Sequence, residues 1–375
     1  MKIYYEDSLP YAEQFFADLA ECQVFSHRTV TAETLADADI LLVRSTTKVN
    51  QQLLALNKCL RFVGTATAGT NHMDFSYLQA RGIQTASAAG CNAVAVAEYV
   101  LSAIFVMAEK LAWRLADKTV GIVGAGHVGS ALQQKLQALG IKTLLCDPPL
   151  QEQGDTRTFV AMEEIMACDV ITLHVPLVTA GKHATAHLFD KARLAQLNQN
   201  QLLINACRGE VLDNQAALSL FQQGKILNLV LDVWENEPAI ERALVPYVAL
   251  ATAHIAGHTI EGKARGTEML YQQLCELLNK PILKCLADYL PQPDPQVLDL
   301  PAQGEDEDVL RALILSVYDI RNDDQQFKAS LLEPEQFGYI RKNYAIRREF
   351  AALQVNTGNF HGSEAIYGLG FSPLR

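Results

Sequence analysis

The sequence holds little that would tie it to metal, membrane or nucleic acid. Its eight cysteines are scattered, with no C-x-x-C pair and no Cys/His group at zinc spacing, so no metal site is expected. Positive charge is in deficit: 31 lysines and arginines against 42 acidic residues give a net charge of −11, which argues against general attraction to nucleic acid or an anionic membrane. No apolar run is clean enough to span a bilayer, because the longest, from Asn92 to Leu111, is interrupted by Glu98 and closed by Glu109 and Lys110. The opening MKIYYED lacks the apolar core of a signal peptide. Low-complexity tracts and short-period repeats are absent as well. Together these absences favour a reducing cytoplasm, where cysteine serves as a small buried hydrophobe.

What is there suits two or three globular domains, since 375 residues at 49% hydrophobic can bury sizeable cores. Residues 2–88 alternate strand-like and helix-like signals: strands at 2–5, 39–44 and 62–66, helices at 10–19, 49–56 and 74–81. That rhythm predicts a parallel sheet flanked by helices. A long helix follows Asn92. A second series starts at Thr119, with strand 119–123, helix 128–139 and strand 142–146, then further strands at 170–174, 202–205, 229–233 and 250–252. Near Leu290 the texture changes to the stiff polar linker LPQPDPQ. The tail beyond carries an acidic stretch at 305–308, an amphipathic helix around 309–320 and the basic RKNYAIRREF, which reads as a solvated helix face.

The clearest chemical signal is Gly124-Ala125-Gly126-His127-Val128-Gly129, directly after an apolar strand and opening a helix. Gly124 permits the tight turn, Gly126 lets backbone approach a pyrophosphate, and Gly129 lets the helix pack on the strand. Exposed amides at the helix start then bind phosphate oxygens. The next strand ends at Asp147, placed to bind the adenosine ribose hydroxyls. Its charge would repel a 2′-phosphate, and Pro148-Pro149 offers no compensating arginine, so NAD is favoured over NADP. Three residues follow the ends of later strands, where open α/β sheets place their sites: Arg208, Glu237 and His254. An arginine grips a carboxylate in a bidentate fork, a histidine moves the hydroxyl proton, and a carboxylate orients the imidazole and stabilises its charged form. These are the groups a 2-hydroxy acid dehydrogenase needs.

The segment from about residue 40 to 285 resembles the D-isomer-specific 2-hydroxyacid dehydrogenase family, because GAGHVG, NACRGEVLD, LDVWENEP and TAHIAG match its signatures in order. VRSTTKVN, VGTATAGTNHMD, GCNAVAVAEYV, LLCDPP and HIAGHTIEGKARGT resemble a branch acting on a small phosphorylated 2-hydroxy acid, and the tail resembles that branch's dimerisation domain. The resemblance implies Arg208, Glu237 and His254 as the catalytic set, with His254 the acid/base. It implies NAD contacts from Gly124, Gly126, His127, Val128, Gly129, Asp147, Asp232 and Gly257, and substrate contacts from Ser45 and Thr67. The family's threonine and tyrosine at positions 175 and 258 are Val175 and His258 here; Val175 keeps its backbone for the cofactor, and His258 is the candidate third substrate contact. Arg44 and Lys48 either bind a substrate phosphate or are solvated charges, and His72 and His174 are expected to satisfy backbone groups.

The implied architecture has two doubly wound parallel-sheet domains and a C-terminal α+β dimerisation domain. A flavodoxin-like substrate domain would combine 1–95 with 256–285, around an inserted Rossmann-type NAD domain at 96–255, with the tail at 286–375. Closure of a cleft between the first two would exclude water, and the tail would make the protein a homodimer. Rival readings are 3-phosphoglycerate oxidation and a non-catalytic NAD-sensing corepressor; the intact catalytic set and the acidic charge speak against the second.

Overall fold

The computed structural model describes residues 1–300, 306–330, 335–358, 360 and 362–374, so Glu305 of the acidic stretch lies outside the described residues. Two compact units emerge, Met1–Asn92 with Thr259–Pro291, and Ala93–His258 with Gln292–Arg375.

The first unit opens with β1 (Lys2–Glu6), α1 (Ala12–Phe16), β2 (Glu21–Phe25), β3 (Ile40–Val43), β4 (Phe62–Thr65), α2 (Phe75–Ala80) and β5 (Gln84–Ser87). All neighbours pair in parallel in the order β2-β1-β3-β4-β5, the flavodoxin-type winding. β3 and β4 are buried along their whole length, as central strands covered on both faces must be. β2 and β5 escaped the sequence reading because they are edge strands, largely exposed and without an apolar run. The helix expected at 49–56 is also corrected. One α-type bond, Leu54 N to Asn50 O, gives way to tighter bonds from Ala55 to Gln52 and from Asn57 to Leu54. Buried Asn57 ends the turn by donating to the Leu35 and Ala38 carbonyls and accepting from the Cys59 and Leu60 amides.

The second unit begins with α3 (Ala93–Lys110), followed by β6 (Thr119–Val123), α4 (His127–Ala138), β7 (Lys142–Cys146), α5 (Pro148–Glu152) and α6 (Met162–Met166). Then come β8 (Val170–Leu173), α7 (Lys191–Gln196), β9 (Leu202–Asn205), α8 (Asn214–Gln222), β10 (Asn228–Leu231) and β11 (Leu250–Ala251). The parallel sheet runs β11-β10-β9-β8-β6-β7, so the winding reverses between β6 and β8. Such a switch point opens a crevice at the carboxyl ends of the strands. The chain then returns to the first unit as α9 (Ile260–Leu277), whose Leu270, Tyr271 and Leu274 pack with Phe15, Phe16 and Leu42.

The tail comprises β12 (Val297–Asp299), α10 (Asp306–Val317), α11 (Ile320–Ser330), α12 (Gln336–Lys342), β13 (Gln354–Asn356), α13 (Ser363–Gly368) and β14 (Ser372–Pro373), with a parallel sheet β12-β13-β14. It packs on α3 and α4 of its own unit: Leu313, Ile314, Phe350, Leu369 and Phe371 share one core with Tyr99, Ile104, Leu132 and Leu136. The apolar side of α10, in the tail expected to make the dimer, is therefore covered within the chain, with Val309, Leu313 and Ile314 buried. This also explains why α3 is apolar all round, since sheet and tail enclose it. Among the described residues no helix is long and apolar enough to cross a membrane.

Glu98, the charge that interrupts α3, is the polar tie of this core. It accepts from Lys135 Nζ of α4 at 3.0 Å and from the Phe350 amide of the tail, while Lys135 also donates to the Leu369 carbonyl. Burial pushes the Glu98 carboxyl up to about 7.

Candidate active site

The glycine loop sits at the switch point, between the end of β6 and the start of α4. Gly124 has φ 91°, and a Cβ there would lie 2.5 Å from the His174 carbonyl oxygen. A Cβ on Gly129 would lie 2.1 Å from the Gly124 carbonyl oxygen, so helix and loop touch through backbone. At Gly126 a Cβ would meet no atom within 4 Å; its glycine leaves open space on the outer side of the loop, next to the amides of His127 and Val128 at the first turn of α4. Those amides have no acceptor within the helix. An open cradle before a helix start fits a pyrophosphate.

Asp147 follows β7 and accepts from the Ala125 amide at 2.8 Å and, as cap of α5, from the Leu150 amide at 3.1 Å. Loop and acid are thus one piece, and a carboxylate with two donors keeps acceptor sites for ribose hydroxyls. Arg157, which the sequence reading did not single out, stands in this neighbourhood with Nη1 on Ser130 Oγ. Its fork is bound to Asp155, whose carboxyl it holds down at about 2, so its charge is already balanced. Val175 follows β8 and packs beside Gly124. Its neighbour His174 is half-buried, with Nε2 on Thr172 Oγ1 at 2.9 Å, and desolvation of its ring drives its pKa down to about 3. His72 likewise pairs with Thr65 Oγ1. Both histidines serve threonine hydroxyls, not the backbone groups expected.

His254 and Glu237 meet past the neighbouring strands β10 and β11. His254 Nδ1 meets Glu237 Oε2 at 2.7 Å, and Glu237 Oε1 accepts from the Trp234 amide at 2.9 Å, which sets the carboxylate plane. A carboxylate on Nδ1 assigns the proton to that nitrogen and leaves Nε2 for chemistry. His254 holds a left-handed backbone, φ 55°, fixed by its amide's bond to the Asp232 carbonyl. Such strain persists only where surrounding bonds impose it. Asp232 is buried and accepts from Thr252 Oγ1 and from the Ile255 and Ala256 amides, so its carboxylate anchors the turn that carries Gly257.

Arg208 lies just past β9, next in the sheet. Its Nη1 donates to the Cys207 carbonyl at 2.7 Å, and its own carbonyl accepts from buried Asn205. Burial pushes the Cys207 thiol up to about 11, which keeps it a neutral spacer. Gly209 was not foreseen as important, yet a Cβ there would lie 2.0 Å from Trp234 backbone atoms. The Arg208 turn and the segment leading to Glu237 are therefore in direct backbone contact. His258 meets the Tyr344 ring edge-on at 5.9 Å.

Ser45 and Thr67 belong to the first unit, past the paired strands β3 and β4. Ser45 is exposed, while Thr67 Oγ1 donates to the Gly69 carbonyl and pairs with Thr65. The Ser45 loop is shaped by Glu6, a residue the sequence reading missed. Burial alone would raise its carboxyl, but bonds from Ser8, Thr46, the Arg44 amide and Thr47 outweigh that and hold it below the usual range.

Residues 92–256 match the family model for the D-isomer specific 2-hydroxyacid dehydrogenase NAD binding domain. Over 372 residues the chain is 66% identical to an erythronate-4-phosphate dehydrogenase from Pseudoalteromonas atlantica, covering 99% of this chain and 100% of that protein. The chain belongs to the erythronate-4-phosphate dehydrogenase family, a branch of the D-isomer specific 2-hydroxyacid dehydrogenases. A second member, from Shewanella oneidensis, is 48% identical over the full length of both chains. Residues 289–370 match a family described only as a domain of unknown function, so the similarity to this family includes the tail. Among solved structures, Aquifex aeolicus D-lactate dehydrogenase complexed with NAD and lactic acid aligns with a TM-score of 0.55 at 23% identity, covering 74% of this chain and 95% of that one. NAD-dependent formate dehydrogenase from Staphylococcus aureus, in complex with NAD, aligns at 0.57 and 21%, covering 76% and 97%. At these identities the likeness supports the fold.

Proposed function

We propose that the chain catalyses NAD-dependent oxidation of 4-phospho-D-erythronate to 2-oxo-3-hydroxy-4-phosphobutanoate, a step of pyridoxal 5′-phosphate biosynthesis. The observation that carries the chemistry is the 2.7 Å contact of His254 with Glu237, at the carboxyl edge of the sheet that also bears the glycine loop. NAD, when bound, accepts the hydride from C2 of the substrate. His254 Nε2 takes the C2 hydroxyl proton, and Glu237 stabilises the imidazolium that results. Arg208 grips the carboxylate and polarises the C2 oxygen. Ser45, Thr67 and His258 are the proposed substrate contacts. Asp147, the loop from Gly124 to Gly129, the Val175 backbone, Asp232 and Gly257 are the proposed cofactor contacts. Turnover with NAD and 4-phospho-D-erythronate, read as NADH absorbance, tests the reading; faster turnover of 3-phosphoglycerate would replace it.

NAD is expected to bind at least tenfold more tightly than NADP, on the order of 1.4 kcal/mol. The reason is Asp147 together with an Arg157 already balanced by Asp155. Calorimetry on Asp147→Ala should show the gap narrowed, and equal affinities in the unmodified protein would refute the assignment.

The reading places the enzyme in the cytoplasm, supported by eight unpaired cysteines, and makes it a homodimer. With α10 covered within the chain, support for self-association moves to the exposed Tyr339 and Ile346, at 61% and 78% exposure. Removing the tail would uncover the α3 and α4 core and so is no clean test. Ile346→Asp should instead shift light scattering from dimer towards monomer; an unchanged dimer would put the interface elsewhere.

A further inference from the structure

Arg347 is a long cationic side chain buried to 5% exposure, within the segment that reads from sequence as a solvated helix face. The structure corrects that reading, because α12 ends at Lys342 and residues 343–349 follow as irregular chain in which Arg347 and Glu349 turn inward. The guanidinium lies over the Tyr318 ring, 4.4 Å from its centre. Its Nη2 donates to two carbonyls at once: Ala95, in the first turn of α3, at 3.0 Å, and Ala256, in the turn after His254. Three residues earlier, Tyr344 bonds Asp323 through its hydroxyl and sets its ring against His258. The Tyr318 hydroxyl bonds the same Asp323 oxygen, so the aromatic bed under Arg347 is itself fixed.

From these contacts we infer that Arg347 is a positioning residue for the reaction, holding the 254–258 turn from the tail side. Asp232 takes the Ile255 and Ala256 amides of this turn, and Arg347 takes the Ala256 carbonyl. The peptide units flanking Ala256 are thus clamped from two directions. His254 precedes them in a strained conformation, and Gly257 and His258 follow. A planar guanidinium suits this role, since the two N–H bonds of Nη2 can serve two acceptors while the delocalised plane stacks on a ring. A tail with no side chain in the proton transfer would then set how accurately the acid/base and its neighbours stand. A small misplacement of catalytic groups by a remote change can cost up to about 10²-fold in rate.

The inference rests on the dehydrogenase reading, and the unmodified enzyme is the control that separates the two: if it turns over no 4-phospho-D-erythronate, the reading fails before this test begins. Given that activity, full-length Arg347→Met should lose on the order of tenfold or more in kcat. Its NAD dissociation constant, governed mainly by the glycine loop and Asp147, should change less than about threefold. Added methylguanidinium should restore part of the loss, and methylammonium should not, because only the former can lie flat on the Tyr318 ring while one of its nitrogens donates twice. If Arg347→Met does not fold, Arg347→Lys decides, since it keeps the charge but loses the planar group that stacks on Tyr318 and carries Nη2 to both carbonyls. It should show the same selective fall in kcat with near-normal NAD binding. Unchanged kcat in the variant that folds, or a loss of kcat that only tracks the fraction of protein able to bind NAD and ignores methylguanidinium, would overturn the assignment.

Discussion

Replacing His254 by alanine is expected to lower kcat by roughly 10²–10⁴, the scale of general acid–base catalysis, while NAD still binds. In the proposed reaction a proton leaves the C2 hydroxyl as hydride departs, and the imidazole is the proposed acceptor. Its Nδ1 is occupied by Glu237 and its backbone is pinned to Asp232, so Nε2 is the nitrogen left to act. With 34% of its side chain exposed, the ring is open to an incoming substrate, whereas Glu237, at 18%, stands behind it. Glu237→Ala should cost less, because the imidazole keeps its backbone anchor at Asp232 and can still carry its proton on Nδ1 towards water, losing the orienting carboxylate and the charge that stabilises the imidazolium. Steady-state kinetics beside calorimetric NAD binding provides the check. A His254→Ala enzyme with near-normal kcat would transfer the proton role to another group, and one unable to bind NAD would make His254 part of the cofactor site.

Gly209→Ala is expected to harm both stability and rate, although the residue carries no functional group. An added Cβ would lie 2.0 Å from the Trp234 carbonyl carbon and oxygen and 2.6 Å from the Glu235 amide nitrogen. These are backbone atoms and cannot swing aside. Trp234 is fully buried, with its indole on the Thr252 carbonyl, and Glu235 is tied to the Asn214 amide and His187. The chain must move instead, which for overpacking costs about 1–3 kcal/mol and sometimes more. The segment that yields carries Arg208 on one side and Glu237 on the other, so kcat should fall on the order of 10²-fold even in the folded fraction. Calorimetric unfolding together with turnover per folded molecule measures the two effects. A variant with the unmodified melting temperature and kcat would show that the two segments are not in backbone contact.

Much of the candidate site was legible because it is built from contiguous stretches. The glycine loop declares itself through spacing, and Arg208, Glu237 and His254 declare themselves by following apolar runs. A strand buried on both faces must be apolar along its whole length, and a parallel sheet gathers the ends of such strands on one edge. A parallel sheet flanked by helices followed from the same alternation of runs, and the flavodoxin-type and Rossmann-type windings came from the family resemblance. The edge strands β2 and β5 did not, since an exposed strand has no reason to be apolar. The helix expected at 49–56 failed because the carbonyls that bond Asn57 lie about twenty residues earlier in the chain.

The sequence by itself determined which residues are proposed to carry chemistry, since that choice depends on residue type and on position relative to a strand end. Only the tertiary structure decided what holds them. The apolar face of α10 announces burial but not its partner, and the partner is α3 of the same chain. The charges of Glu98 and Arg347 suggest solvent, yet both are enclosed, because Lys135, the Phe350 amide and the carbonyls of Ala95 and Ala256 supply bonds that water would otherwise make. Those partners lie from 37 to 252 positions away along the chain. Local pattern measures how apolar a neighbourhood must be; it holds no record of which distant group completes it.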